Sequence, residues 1–444
     1  MLLLLSELRL VMHETFTVFA FATTISAAWL ISGTANSDKS ERMHRGPTRA
    51  ATTSVSPRLM RGNTGETKCP LTPGFGRHDQ VWWRLSTTLS VRFASLAALL
   101  MSSAPSTRRP LVVALGDPKY AGQEFLAEFK RDFDFKFLHA TNRQETLGRL
   151  PKFVAENGPI DAFIIRMGTP AYEPFDEALL GPLVPHCRII TSASAGFNEF
   201  DVDWMTRNNI WFCNTRDAVA EATADMAIFL MLAVLRDTTR GERGARNGDW
   251  KKGLVPSRDP TGLTLGIVGM GAIGKHTARK AAVFNMKVKY HNRRQLSQEV
   301  EQQYQAQYCP TMHSLLAESD VISISCPLDA STTKLISHAE FAAMKDGSFL
   351  VNTARGAVID EEALIAALES GKIARAGLDV FCNEPTINPY FRSSDKVVAQ
   401  PHMGGLTDVA FMKSERECFE NIRSLFKNGR PVAPVNEIIS GAVK

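Results

Sequence analysis

From Leu111 onward the chain alternates short, mostly apolar runs with windows in which apolar residues recur every three to four positions. Leu111–Leu115, Phe133–Leu138, Ile160–Ile165, Arg188–Thr191 and Ile210–Cys213 are runs of this first kind. Strands that read as apolar runs between helical windows belong to parallel sheets covered on both faces. A long apolar helix is predicted over Ala218–Leu235, followed by an Arg- and Gly-rich arm, Arg240–Gly253. A second series follows, with strands predicted at Thr264–Val268, Lys287–His291, Val321–Ser325, Ser348–Asn352, Arg375–Leu378 and Lys396–Ala399. A last helix is predicted over Val409–Phe426. No short repeat or heptad array interrupts this order.

Five strands with helices between them predict one doubly wound sheet, and six more predict a second of Rossmann type. The fold class is therefore α/β with two parallel-sheet domains. Residues 1–105 stand apart. Phe16–Ile31 is apolar but shorter than the roughly 20 residues of a membrane span, and Ser, Thr, Arg, Pro and Gly dominate as far as Arg92. That composition predicts a targeting or disordered extension, with Met101 as an alternative start. It also predicts that a chain lacking residues 1–100 folds and stays active.

Charge sharpens the division. Residues 1–110 hold 13 Lys/Arg against 6 Asp/Glu, net +7, and the remainder holds 38 against 40, net −2. The folded part thus has no cationic field of the kind nucleic-acid binding uses. No nucleic-acid partner and no firm membrane association are expected. The seven cysteines, Cys69, Cys187, Cys213, Cys309, Cys326, Cys382 and Cys418, form no C-x-x-C pair. That spacing argues against a zinc site or redox dithiol and for a reducing, cytoplasmic setting. Mitochondrial import or membrane anchoring through residues 1–105 is the alternative.

Three segments carry chemistry. Gly269, Gly271 and Gly274 make G-x-G-x-x-G where a predicted strand meets the helix Ile273–Phe284. The backbone N–H groups there, with Ala272 and Ile273, would face a pyrophosphate. At the end of the next strand, where an acid would hold the ribose hydroxyls of NAD, stands Asn292-Arg293-Arg294. Without that carboxylate a 2′-phosphate is not repelled, and an arginine can grip it, so NADP(H) is expected over NAD(H). A solvated arginine pair is the bland alternative. The second segment, Val351-Asn352-Thr353-Ala354-Arg355-Gly356, ends a buried strand on a guanidinium able to hold a carboxylate and a carbonyl oxygen. The third joins Gly377-Leu378-Asp379-Val380-Phe381-Cys382-Asn383-Glu384-Pro385 to Pro401-His402-Met403-Gly404-Gly405. Here His402 becomes an acid/base candidate and Glu384 its orienting carboxylate.

In this order the four motifs resemble the D-2-hydroxyacid dehydrogenase family, in its glyoxylate/hydroxypyruvate reductase-like branch, over residues 110–440. The resemblance implies a flavodoxin-like substrate domain over 106–215, completed by 406–444, and a dinucleotide-binding domain over 216–405. It implies Arg355 as carboxylate and carbonyl binder, Glu384 as partner of His402, and His402 as proton donor. Asp379 matches the acidic residue that supports the site and, with Thr353, joins the cofactor candidates. Ala195 and Gly196 match the loop whose backbone receives the substrate carboxylate. The long helix and the arm after it resemble the family's dimer contact, so a homodimer is expected. The reaction implied moves a hydride between NAD(P)H and a small 2-oxo acid of glyoxylate or hydroxypyruvate type, giving a D-2-hydroxy acid. Met167, Phe197 and Trp211 are candidate pocket walls.

Two other classes fit parts of this pattern. A dinucleotide-sensing corepressor keeps the same trio but needs a peptide-binding surface. A phosphoglycerate dehydrogenase shares the core, and here little chain follows the last helix to make a regulatory domain. Turnover of a panel of 2-oxo acids separates these readings.

Overall fold

A computed structural model describes residues 108–438. The extension over 1–105 and the alternative start at Met101 lie outside the described residues. Two wholly parallel sheets organise the rest. The first contains β1 (Leu111–Leu115), β2 (Asp134–Leu138), β3 (Ala162–Ile165), β4 (Ile189–Ser192) and β5 (Trp211–Cys213), in the order β2-β1-β3-β4-β5. That is the flavodoxin-like order, whose crevice opens between β1 and β3. All five residues of β1 are buried, as expected of a central strand with helices on both faces.

The second sheet contains β6 (Thr264–Val268), β7 (Lys287–His291), β8 (Ala306–Tyr308), β9 (Val321–Ile324), β10 (Ser348–Asn352), β11 (Ile373–Leu378) and β12 (Val397–Ala399). They run in the order β12-β11-β10-β9-β6-β7-β8, the Rossmann order with one strand added beyond β11. The expected count of six needs correction to seven. The strand missed is β8, three residues reading Ala-Gln-Tyr on the sheet edge. It pairs on one side only and follows Gln305 at φ +49°, so it shows neither an apolar run nor a clear alternation.

The helix Ala220–Leu235 is apolar nearly all round and buries residues on several faces. Its close approach to the second sheet has a local cause. Gly377 of β11 lies under Leu230, where an added Cβ would come within 2.9 Å of the Leu230 Cβ. The segment read as an arm is in part a helix, Thr238–Asn247, with no buried residue. Its glycines and arginines obscured a helical pattern that ends at Gly248 in the left-handed region.

The chain finally returns to the first sheet through the helix Asp408–Asn428. Cys418, Phe419, Ile422 and Leu425 on that helix join the cluster formed by Val112, Ala114, Ile164 and Ile189. Glu415, buried on the same helix, accepts the N–H groups of Lys119, Tyr120 and Ala121 at 3.0, 2.6 and 2.7 Å. No helix among the described residues is long and apolar enough to cross a membrane.

Candidate active site

Two of the three glycines in the glycine-rich turn answer a steric demand. Gly269 adopts φ +98°, and a Cβ there would meet the backbone of Cys326 at 2.7 Å. A Cβ on Gly274 would come within 2.4 Å of the Gly269 carbonyl oxygen. Gly271 has no such neighbour: its Cβ would meet nothing within 4 Å, and it caps the helix Ala272–Val283 without a side-chain hydrogen bond. The first-turn N–H groups of Ala272, Ile273 and Gly274 therefore end a helix beside open space, which is what a pyrophosphate needs. Thr353 Oγ1 is buried and has no hydrogen-bond partner among the described residues, leaving a hydroxyl for a dinucleotide to satisfy. The residues present thus fit the cofactor.

Asn292, just past β7, also has a local role: its Oδ1 accepts the Met270 N–H at 2.7 Å, bracing the glycine-rich turn. Arg293 and Arg294 are exposed at the end of β7. The Arg293 charge reaches Asp329, whose carboxyl sits below its ordinary range chiefly because Ser331 hydrogen-bonds it.

Of the residues singled out in the sequence, Ala195, Gly196, Ile273, Thr353, Arg355, Asp379, Glu384 and His402 line one cavity of ≈ 880 Å³. Ala195 and Gly196 lie just past β4, in a loop held from below. Asn214 Nδ2 donates to the Ala195 carbonyl at 2.6 Å and Ser194 Oγ to that of Gly196 at 3.0 Å. Among the described residues the N–H groups of Ala195 and Gly196 meet no acceptor, so they form a small anion nest.

Arg355 projects from just beyond the carboxyl end of β10. Its Nη1 donates to the Ala354 carbonyl at 2.8 Å and its Nε to Asn198 Oδ1 at 3.0 Å. A Cβ on Gly196 would lie 1.4 Å from Arg355 Nη2. Glycine at 196 is therefore the only residue that leaves the guanidinium its place.

His402 adopts φ +53°. A non-glycine residue there costs about 1–3 kcal/mol and persists only where neighbours over-determine it. Asp379 does this. Its carbonyl accepts the His402 N–H at 2.8 Å, and its carboxylate accepts the N–H groups of Met403 and Gly404 at 2.9 and 2.8 Å. Burial pushes the Asp379 carboxyl up, against the pull of those two bonds. The sequence reading makes Asp379 a support of the site and a cofactor candidate; the structure places its carboxylate beneath the His402 loop and on the wall of the cavity.

Glu384 accepts the Phe381 N–H at 2.8 Å through Oε1 and bonds His402 Nδ1 at 2.7 Å through Oε2. Burial alone would raise its carboxyl, but the His402 bond, the Phe381 N–H and the charges of His402 and Arg355 outweigh burial and hold it below the usual carboxylate range. Glu384 is thus an anion fixed on Nδ1, which leaves Nε2 of the half-exposed His402 ring facing the cavity.

Two expected walls are absent from the cavity. Phe197 turns away to pack near Phe212, and Trp211 stands on edge strand β5 under the Arg430 guanidinium. Only Met167 of the three lines the site. Sequence reasoning missed Asn198, Glu199, Leu406 and Phe411, which do line it. Burial pushes the Glu199 carboxyl up despite the Arg355 charge nearby. Its position three residues past Gly196 was the one available signal. Leu406 lies in the turn between His402 and the last helix and Phe411 in the first turns of that helix, so the return of the chain to the first sheet brings both here.

Two parallel sheets, a bare glycine-rich helix start and a charged cluster sharing one cavity define an oxidoreductase of the dinucleotide-binding α/β class. Comparison with known proteins makes this specific. The family model "D-isomer specific 2-hydroxyacid dehydrogenase, NAD binding domain" matches residues 228–404. Dehydrogenase efuE of Hormonema carpetanum is 61% identical over 346 residues, covering 78% of this chain and 86% of that one. The 4-methyl-2-oxopentanoate reductase A of Aspergillus oryzae is 43% identical over 264 residues, covering 60% and 79%. The crystal structure of a glyoxylate reductase from Paecilomyes thermophila superposes with a TM-score of 0.69 at 36% identity, covering 74% of this chain and 98% of that one. The chain belongs to the D-isomer specific 2-hydroxyacid dehydrogenase family.

Proposed function

We propose that the chain reduces a 2-oxo acid to a D-2-hydroxy acid with NADPH. The observation that carries this reading is the facing of the His402–Glu384 pair and Arg355 across one cavity beside the bare glycine turn. When bound, the nicotinamide supplies the hydride to the carbonyl carbon. The Ala195 and Gly196 N–H groups and Arg355 hold the substrate carboxylate, and Arg355 also steadies charge developing on the carbonyl oxygen. His402 Nε2 delivers the proton to that oxygen while Glu384 orients the ring through Nδ1. Glyoxylate and hydroxypyruvate are the small substrates proposed.

A second reading, a 2-oxo acid with a longer apolar side chain, is favoured by Met167, Leu406 and Phe411 on the cavity wall. The relative named for 4-methyl-2-oxopentanoate agrees with it. Measuring kcat/KM for glyoxylate, hydroxypyruvate and 4-methyl-2-oxopentanoate with each cofactor decides between the two. No turnover of any of them would reject both.

Cofactor choice rests on residues 292–294. Asn292→Asp with Arg293→Ala is expected to invert the preference from NADPH to NADH, with about a tenfold or greater loss in kcat/KM for NADPH, the scale of one charge-assisted hydrogen bond. An unchanged ratio of the two kcat/KM values would show that these residues do not read the 2′-phosphate.

The pair also sets an acid limit. Against burial, which raises it, the His402 bond, the Phe381 N–H and the charges of His402 and Arg355 hold the Glu384 carboxyl below the usual carboxylate range, so the anion that orients the ring is lost only as pH falls through that lowered value. Glu384→Gln removes the anion at every pH and is expected to lower kcat with little change in KM. An unchanged kcat in steady-state kinetics would show that Glu384 does not orient His402.

A further inference from the structure

A second crevice opens at the carboxyl end of the first sheet, where the chain leaves β1 for β2 on one side and returns to β3 on the other. Ligands of doubly wound sheets sit outside the strand ends at such a reversal. The cavity there is ≈ 280 Å³, at the small end of the range for small-molecule sites. Its lining sets Lys119, Arg149 and Arg166, with His139 beside them, against Asp117 and Glu145.

Arg166 leaves the end of β3 and makes no hydrogen bond or ion pair with any described residue, and its Nε is fully buried without a partner. A buried donor left unsatisfied is costly, more so when charged, and calls for a partner. The guanidinium is seated on purpose-made backbone: Gly116 has φ +86°, and a Cβ there would lie 2.6 Å from Arg166 Nε. Among the described residues Lys119 has no ion pair for its ammonium, although its backbone N–H is fixed by Glu415 at 3.0 Å. The acidic side is weaker than it looks. Glu145 is committed to the Thr141 N–H at 3.1 Å and to Arg149 at 3.4 Å. Arg149 in turn donates to the His139 carbonyl at 2.6 Å. Asp117 remains as a carboxylate of the rim, exposed to solvent.

We propose that this crevice binds a small phosphate-bearing anion, gripped by Arg166 and Lys119. Guanidinium geometry suits phosphate oxygens, and the cavity has room for one phosphate group with a short substituent. The site is separate from the cleft described above, although Met167, the next residue along the chain, lines that cleft.

Calorimetric titration tests it, using inorganic phosphate and glycerol phosphate as probes at low ionic strength. NADPH is kept at saturation so that the glycine turn and residues 292–294 are filled. One equivalent of probe should bind, and Arg166→Met and Lys119→Ala should each weaken it at least tenfold. A thermal melt without phosphate confirms that each variant is folded, and Lys119→Ala, a surface change, guards against loss of structure at Arg166. Tighter binding of the ester than of the free ion would assign a phosphomonoester, and equal binding would assign free phosphate. Equal binding by the unaltered protein and both folded variants, or no binding of either probe, would overturn the proposal.

Discussion

His402→Ala is expected to lower kcat for reduction by about 10²- to 10⁴-fold, the usual worth of a positioned general acid, with NADPH affinity nearly unchanged. The separation follows from the layout. His402 reaches the cavity from the loop after β12, anchored by Asp379, whereas the glycine turn follows β6 and is braced by Asn292. Removing the ring leaves that turn intact. Stopped-flow reduction and cofactor titration by fluorescence read the two quantities independently. Full activity in the variant would remove the acid/base assignment, and a matching loss of NADPH affinity would mean that the loop also builds the dinucleotide site.

Arg355→Ala should raise KM and lower kcat together, because in the proposed reaction one guanidinium would hold the carboxylate before the reaction and the oxygen during it. A loss of about 10²- to 10³-fold in kcat is the scale seen when one donor to a developing oxyanion is removed. The structure supplies a subtler version. Gly196→Ala puts a Cβ where Arg355 Nη2 now lies, 1.4 Å away. The guanidinium must then swing off the nest and give up its bond to Asn198. Gly196 has no positive φ, so the alanine backbone itself is unstrained, and the thermal midpoint should hardly move. Steady-state kinetics of both variants should show the same direction of change in KM and kcat. A Gly196→Ala enzyme with unaltered KM would mean that Arg355 does not work from this position.

Much of this was readable in the sequence for a simple reason. Parallel strands buried on both faces must be apolar throughout, so β1, β6 and β10 declare themselves, and a glycine turn between strand and helix leaves a spacing that survives any packing. The residues at the carboxyl ends of strands were legible because charge there is out of keeping with the apolar run before it, as with Arg355 after β10. What failed was whatever depends on distant neighbours. β8 is visible only through its pairing with β7. Phe197 and Trp211 are large and adjacent to the right loops, yet their side chains turn into packing that no local pattern reveals. The grip of Asp379 on the Met403 and Gly404 N–H groups was not legible, since it depends on a turn 24 residues further on. Phe411 reaches the cavity because the final helix doubles back to the first sheet, and Leu406 because it sits in the turn that joins His402 to that helix.

The central claim is that hydride and proton meet at one carbonyl in the cavity between Arg355 and His402. It is tested most directly by following the label when hydroxypyruvate is reduced with NADPH deuterated at the transferring position of the nicotinamide. The proposed function predicts deuterium on C2 of a D-configured glycerate from the unaltered enzyme, and formation slowed by about 10²- to 10⁴-fold in His402→Ala. Deuterium absent from C2, an L-configured product, or equal rates from both enzymes would contradict it.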